Sequence, residues 1–484
     1  MKLLVVGVLL AASCWRAEAS GTWIPLVHPA PEAVVRMLLL TDGTVIANAG
    51  TADSNSINST KWWRLTPDIH GSYVNGTWSL LSSMNYARLY YASQVLPNGD
   101  IFIAGGEYGA QGLGDAAAGT TAEVWNSQAN IWSYVPNTNY HFADANSKLL
   151  PDGKVMVELG GAYSLNTVIY DPVSNATASG PTLLGYQNET DWVQLPDQSI
   201  LTVDFPFPAG ASTMKVERYI PSSNQWVGDA DTPVNLYASF EYSGNLVYEI
   251  GSFHLLPNGK VFAIGGTSNT AIYTPSGNTN QGTWVAGPAI PNNLGACDGA
   301  AASMVNGKIL MALGPTASYD GPISFCEYDY GANTLTPVNG PAGTTYNANP
   351  YKSGMLALPD GSILFCAWDT QCYVYQPDST PLAAGKPSIQ ALTPNPDGSY
   401  HLAGTGFNGI SEGAKYGDDQ QMDTNWPIVR VTNNASGDVY YAKTFGWDPG
   451  VVATGTAPSK TDFSFPAGLP AGTYSLVVVA NGNS

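Results

Sequence analysis

The sequence predicts an all-β protein, a ring of short hairpins followed by a smaller β-domain, and three observations carry that prediction. Glycine and proline are abundant, 52 and 34 in 484 residues. Only 11% of residues are charged, far below the roughly 25% usual for soluble domains. A short turn motif flanked by aliphatic runs recurs seven times, each copy followed by a segment centred on tyrosine or tryptophan. Together these exclude a coiled coil, a charged helical bundle and a polar disordered chain. With 44% hydrophobic residues, 13 Trp and 27 Tyr, the chain has enough apolar side chain to fill large cores.

The N-terminus carries Lys2, an apolar run over residues 3–12 and Ala17-Glu18-Ala19, the pattern of a secretory signal peptide over residues 1–19 cleaved before Ser20. No later apolar run is long enough to span a bilayer, so the expected product is exported, extracellular and monomeric. The net charge of −19 contains no Lys/Arg cluster, which excludes nucleic acid and an anionic membrane surface as partners. Cys14 leaves with the signal peptide. Cys297, Cys326, Cys366 and Cys372 remain, and in an oxidising compartment four cysteines permit two disulfides. Cys366 and Cys372 flank Ala-Trp-Asp-Thr-Gln, a spacing suited to stapling a hairpin, with a pair of buried thiols as the alternative. Five sequons, at Asn58, Asn75, Asn175, Asn188 and Asn434, mark candidate glycosylation sites on surface loops.

The repeat defines the elements. It reads LTDGTVIANAG from Leu40, LPNGDIFIAGG from Leu96, LPDGKVMVELGG from Leu150 and LPNGKVFAIGG from Leu256. Weaker copies are LPDQSILTVD from Leu195, MVNGKILMALG from Met304 and LPDGSILFCAW from Leu358. The turn glycines, with Gln198 replacing one, fall at 43, 99, 153, 198, 259, 307 and 361, a mean step of 53. Each copy predicts a hairpin around an Asn-Gly or Asp-Gly turn. A third strand follows in WWRLTPD, AEVWNSQAN, VIYDPVSN, VERYIPSSN, AIYTPSGN, CEYDYGAN and YVYQPDS, and a fourth often carries tryptophan, as at Trp78, Trp132, Trp226 and Trp284. Four strands in seven units predict a seven-bladed kelch-type β-propeller over residues 20–380. The seventh unit lacks a fourth strand, and GTWIPL around Trp23 has the missing pattern, so the N-terminal strand is expected to close the last blade.

Beyond Thr380 the repeat stops, and Pro-Leu-Ala-Ala-Gly-Lys-Pro reads as a linker. Residues 387–484 carry short alternating strands such as PIVRVT and YSLVVV, which predict an immunoglobulin-like β-sandwich. Within it, the long non-alternating insert GISEGAKYGDDQQMDTNW is expected to pack on the propeller.

An exported seven-bladed kelch propeller with a C-terminal immunoglobulin-like domain resembles the galactose oxidase and glyoxal oxidase family of copper radical oxidases. The likeness covers nearly the whole mature chain, and its motifs specify fold and not chemistry. It implies a site at the propeller mouth made of two tyrosines, two histidines and a cysteine cross-linked to one tyrosine. Matched by offset, Tyr351 stands at one tyrosine and Lys352 where the family has a histidine. Lys443, before Trp447, stands at the other histidine, Tyr90 at the cysteine and Trp125 at the cross-linked tyrosine. One position of five matches, and an ammonium group has no lone pair for Cu(II). The five histidines, His28, His70, His141, His254 and His401, read as surface or packed residues. The expectation is a related scaffold without the copper-radical site and without another cofactor. Calcium is compatible with the acids, although no ligand loop of recognised spacing occurs.

The starts of the innermost strands supply the other candidates, because equivalent positions in a ring converge on one axis. They are Arg88, Tyr90 and Tyr91; Asp144; Glu189, Asp191 and Trp192; Glu249; Cys297 and Asp298; and Tyr351 and Lys352. Asp144, Asp191, Glu249, Asp298, Tyr351, Lys352 and Lys443 are candidate catalytic groups, since crowded carboxylates and a nearby ammonium shift one another toward neutrality. Arg88, Tyr90, Trp125, Trp192 and Trp447 are candidate ligand-binding groups. The alternative for each is a polar or aromatic residue that only satisfies a strand end, and the Asp or Asn of each turn motif serves turn geometry. The sequence therefore predicts a scaffold that acts on a saccharide or small organic ligand by acid-base chemistry such as lysis, hydrolysis or cyclisation. A non-catalytic carbohydrate-binding propeller and a copper oxidase with atypical ligands stand beside that reading.

Overall fold

The structure is a computed structural model that describes residues 21–50, 59–136, 138, 140–159, 164–188, 190–413 and 423–484. The signal peptide with Cys14, the sequon at Asn58, and Glu189 lie outside the described residues. The regular structure of the described residues is almost all strand, with one short α-helix at Ala116–Gly119, and no helix among them is long and apolar enough to cross a membrane.

Each sequence repeat forms one antiparallel sheet; in the first six, four of the strands follow chain order, and the fifth and sixth sheets carry two further strands each. The leading strands are Ala33–Leu39, Ala92–Val95, Ser147–Leu149, Val193–Gln194, Asn245–Leu255, Ala301–Ser303 and Ser353–Ala357. They are buried almost throughout, which explains why they read as apolar runs with little alternation. In the seventh sheet the fourth strand is Thr22–Pro25, which pairs with Tyr373–Gln376 and sets Trp23 opposite Tyr375, their rings 4.8 Å apart. The expected N-terminal closure of that sheet is thus present.

Two local devices recur. The turn after each leading strand places a residue in the left-handed region, with φ from 76° at Gly43 to 89° at Gly361, and Gln198 adopts 69° in the fourth sheet. The preceding Asp or Asn accepts the backbone N–H two residues on, as in Asp42 Oδ1 from Thr44 (3.0 Å) and Asn258 Oδ1 from Lys260 (3.1 Å). These side chains are turn formers. In the third strands, Tyr170, Tyr219 and Tyr328 donate their hydroxyls to Asn175, Asn224 and Asn333 at 3.1, 2.9 and 3.0 Å. Each Asn lies five residues on at a positive φ, so the hydrogen bond closes the turn into the fourth strand.

Strands of residues 388–479 form one six-stranded sheet ordered Ser388–Pro394, Tyr400–Thr405, Pro458–Ser464, Val439–Phe445, Ile428–Asn433 and Tyr474–Val479. It docks on the turn ends of the repeats: Thr444 N–H donates to Thr41 O (3.2 Å) and Gly446 N–H to Pro97 O (2.7 Å). Glu412–Gly413, from the long insert, pairs with His254 and Leu255 in the leading strand of the fifth sheet. Residues 414–422 of that insert lie outside the described residues.

Cys366 and Cys372 form a disulfide. Cys297 and Cys326 are buried free thiols, so the second disulfide that the cysteine count permitted is not made. Asn75, Asn175 and Asn434 are exposed and Asn188 is half-buried.

Candidate functional site

An aromatic cluster gathers at the end of the sheets where the leading strands begin. Tyr351 and Lys352 enter on a short 3-10 turn, Pro350–Lys352, just before the seventh leading strand. Trp368 comes from the loop closed by the Cys366–Cys372 disulfide. Tyr90 precedes the second leading strand and meets Tyr108 from the small three-stranded insertion of that repeat. Tyr319 comes from the sixth repeat, and Phe240 and Tyr242 from the hairpin that extends the fifth. Tyr90 (φ 56°), Trp368 (φ 51°) and Asp298 (φ 54°) hold left-handed backbone, a conformation unfavourable for side chains of that size and concentrated at functional sites.

The rings form a connected wall. Tyr90 lies 6.3 Å from Trp368, Trp368 5.6 Å from Tyr351, and Tyr351 5.9 Å from Tyr319, centroid to centroid. Two cations lie on it. The Arg36 guanidinium is 4.8 Å from the Tyr90 centroid, and the Lys352 ammonium is 5.7 Å from Tyr351 and 5.4 Å from Trp368. Lys352 Nζ makes no hydrogen bond or ion pair to any described residue. Tyr319 donates its hydroxyl to Glu249 Oε1, and Asn349 Nδ2 donates to the Tyr351 hydroxyl (3.3 Å). Burial raises the Tyr351 phenol, with the charge of Asp298 adding to the effect. Burial, then Asp298, pushes the Cys297 thiol up to about 12, so it is not a thiolate at neutral pH.

Of the residues expected at this mouth, Tyr90, Glu249, Asp298, Tyr351 and Lys352 are brought into or beside the cluster. Several others are placed elsewhere. Arg88 is fully buried, paired with Glu123 at 2.9 Å and donating to the carbonyls of Gly105, Ala118 and Thr121; it locks the second repeat to its insertion. Trp125 packs on Trp132 and donates Nε1 to Asn130, and Trp192 packs on Trp226, both inside sheet cores. Lys443 lies at the turn end, donating to Ser127 Oγ (2.7 Å), and Trp447 packs there against Trp426. The offset match put Lys443 at the mouth because the loop before Trp447 resembled the family's ligand loop, but its strand docks on the hairpin turns instead. Asp144 is buried one residue after Ala143, which has φ 48°. Arg36, Trp368 and Tyr319 went unread, although Arg36 occupies the first repeat's leading strand and Trp368 lies between the two disulfide cysteines.

Asp191 belongs to a second, enclosed group where the leading strands of the second to sixth sheets meet the C-terminal insert. Lys148 pairs with Glu412 at 2.6 Å, and the Gln194 N–H donates to the same carboxylate (2.6 Å). Phe253 N–H donates to Asp191 Oδ2 (2.6 Å), and Ser303 N–H to Asp423 Oδ1 (3.3 Å). Burial raises the Asp191 carboxyl far above its ordinary range and Asp423 to about 7. His254, held by Ser252 and Ser303, is pushed down to about 3 by burial and is neutral. This group seats the insert.

Copper needs unprotonated nitrogen or sulfur donors beside the phenol. All five histidines are described, and none contacts Tyr351 or Lys352. His28 is bound to Gly76 O, His254 to its two serines and His401 to Asp462, while His70 and His141 are exposed. The mouth offers a phenol and an ammonium and does not fit the copper-radical ligand set. Among the described residues, no three His, Cys, Asp or Glu side chains come together in a way that could hold a metal ion.

No family model matches the chain, and no curated protein matches it. Among solved structures, a fungal alcohol oxidase of the AA5 family in complex with copper aligns over 96% of this chain and 100% of its own, with a TM-score of 0.54 and 14% identity. The structure of YjhT aligns over 64% of this chain and 99% of its own, with a TM-score of 0.41 and 14% identity. In fold, over nearly its whole length, the chain is similar to that alcohol oxidase.

Proposed function

We propose that this chain is an exported seven-bladed propeller over residues 20–380 with an immunoglobulin-like domain over residues 387–484, whose mouth takes a saccharide or small organic ligand without a copper-radical centre. The observation that carries this reading is Lys352, an ammonium set among aromatic rings with no hydrogen bond or ion pair to any described residue. A cation so placed has three donors to offer a ligand, while the faces of Trp368 and Tyr90 suit the apolar face of a sugar ring. Glu249 with Tyr319 forms a carboxylate-phenol pair beside it, able to take and return a proton.

The test is ligand binding and turnover on a broad glycan panel, with reducing-end, unsaturated-product and peroxide assays run in parallel. Lys352→Ala is expected to weaken binding at least about tenfold, the loss of roughly 1.4 kcal/mol. Glu249→Gln is expected to lower turnover with little change in binding. Unchanged binding in Lys352→Ala sinks the mouth assignment. Binding that needs Lys352, with no product on any substrate, establishes the non-catalytic alternative, which the structural engagement of Asp191 favours. Stoichiometric copper together with peroxide production overturns the copper-free reading.

A further inference from the structure

A second concavity lies beside the aromatic mouth. It has a volume of about 350 Å³ and is lined by Asn235, Tyr237, Ser239, Thr267, Asn293 and Thr316, among others. That volume lies at the lower end of the range for small-ligand sites. Its walls come from the fifth and sixth repeats, and they are tied to one another. Thr267 Oγ1 and Asn269 Nδ2 both donate to Asn235 O, at 3.0 and 2.8 Å. Asn293 accepts from Ser268 Oγ (3.3 Å) and donates to Thr316 Oγ1 (3.0 Å). The loops are therefore held in place before any ligand arrives.

Among the described residues, no charged side chain lines this cavity, although the chain as a whole carries −19. Its polar groups are hydroxyls and carboxamides with donor or acceptor capacity beyond the bonds between them, while the Tyr237 hydroxyl is turned to Val203 O. An ionic ligand would lose its hydration there without gaining a counter-charge. A neutral polyhydroxyl ligand loses less and matches the lining group for group.

Two chain segments run from the walls of this cavity to the mouth. The segment that lines it with Thr316 and Ala317 delivers Tyr319 to the aromatic wall two residues later. On the facing hairpin, Ser239 lines the cavity and the next residue, Phe240, packs on Tyr319 at 4.9 Å.

We propose that this cavity is a neutral-sugar subsite flanking the mouth, so that the ligand is an oligosaccharide with one unit at Trp368 and Lys352 and another between the fifth and sixth repeats. This rests on the saccharide reading of the mouth. The experiment is isothermal titration of the full-length mature protein with cello-oligosaccharides and galacto-oligosaccharides of two to six units. The wild type is compared with Thr316→Val, with Ser239→Trp, which fills the cavity from an exposed position, and with Lys352→Ala. In at least one series, wild-type affinity should rise about tenfold or more with chain length. Thr316→Val and Ser239→Trp should flatten that rise while keeping the affinity for the shortest ligand, and this retained affinity also reports correct folding. Lys352→Ala should weaken short and long ligands alike. A wild-type affinity independent of length, absence of binding by every neutral member, or a rise that survives both cavity variants overturns the subsite. A length-dependent rise lost in the cavity variants and unaffected by Lys352→Ala overturns the mouth reading and leaves the cavity as a saccharide site of its own.

Discussion

The structure assigns similar side chains opposite tasks according to what surrounds them. Arg88 and Lys352 are both cations near the start of a leading strand, yet Arg88 spends its donors on one carboxylate, three carbonyls and a threonine hydroxyl, while Lys352 lies against the rings of Tyr351 and Trp368. The sequence could not separate them, because the partner of Arg88 is thirty-five residues away in Glu123. Removing that partner strands a fully buried guanidinium. Glu123→Ala should destabilise the protein by about 3–5 kcal/mol, read from chemical denaturation, and a loss below about 1 kcal/mol would show that the pair is dispensable. Tyr90 and Trp368 hold positive φ at the aromatic wall, a feature that composition does not announce.

At the scale of elements, the repeat motif was almost fully legible, since turn chemistry is local. The Asp or Asn that accepts the N–H two residues on and the glycine that takes positive φ lie side by side in the chain. Gln198 is the exception that tests the rule, a side chain held at φ 69° where the other repeats place glycine. Gln198→Gly should therefore stabilise the fourth sheet, raising global stability by up to about 1 kcal/mol, with a lower melting temperature as the contrary result. The tyrosine-to-asparagine bonds of the third strands make a paired expectation. Asn224→Ala loses the bond to Tyr219 and leaves alanine at φ 51°, and should cost roughly 1–2 kcal/mol in the same measurement. Assigning Lys443 to the mouth failed at this scale, because a short loop likeness carried no information about which end of the repeats its strand would meet.

For the whole molecule, the N-terminal strand and the insert both join distant parts of the chain. Trp23 packs on Phe325, Phe365 and Tyr375, so Trp23→Ala should cost roughly 3 kcal/mol and expose the edge of the seventh sheet to protease. The enclosed group around the insert has a pH signature. Asp423, which accepts from the Ser303 N–H and feels the charge of Glu412, has its carboxyl raised to about 7 by burial. An acid whose folded value lies above its unfolded value near 4 binds its proton more tightly in the folded state. Its contribution is complete below pH 4 and is lost as pH rises toward 7, at about 1.4 kcal/mol per pH unit. Asp423→Asn should flatten the decline in stability between pH 5 and pH 7, and an unchanged pH profile would show that Asp423 is ionised throughout.

Local sequence sufficed for the all-β class, the repeats, their turns and the N-terminal strand of the last sheet, and it offered the Cys366–Cys372 disulfide that the structure makes. Each follows from local turn geometry, apolar patterning or a short spacing. Tertiary structure decided which of the aligned candidates share space. It gathered Tyr351, Lys352, Trp368, Tyr90 and Tyr319 from three repeats into one wall. It buried Arg88, Trp125 and Trp192 in cores, sent Lys443 and Trp447 to the opposite end, and set Asp191 with Lys148, Glu412 and Asp423 around the insert. The physical reason is that strand register fixes where a residue lies along its own sheet, whereas its partners are chosen by the packing of sheets encoded tens to hundreds of residues apart.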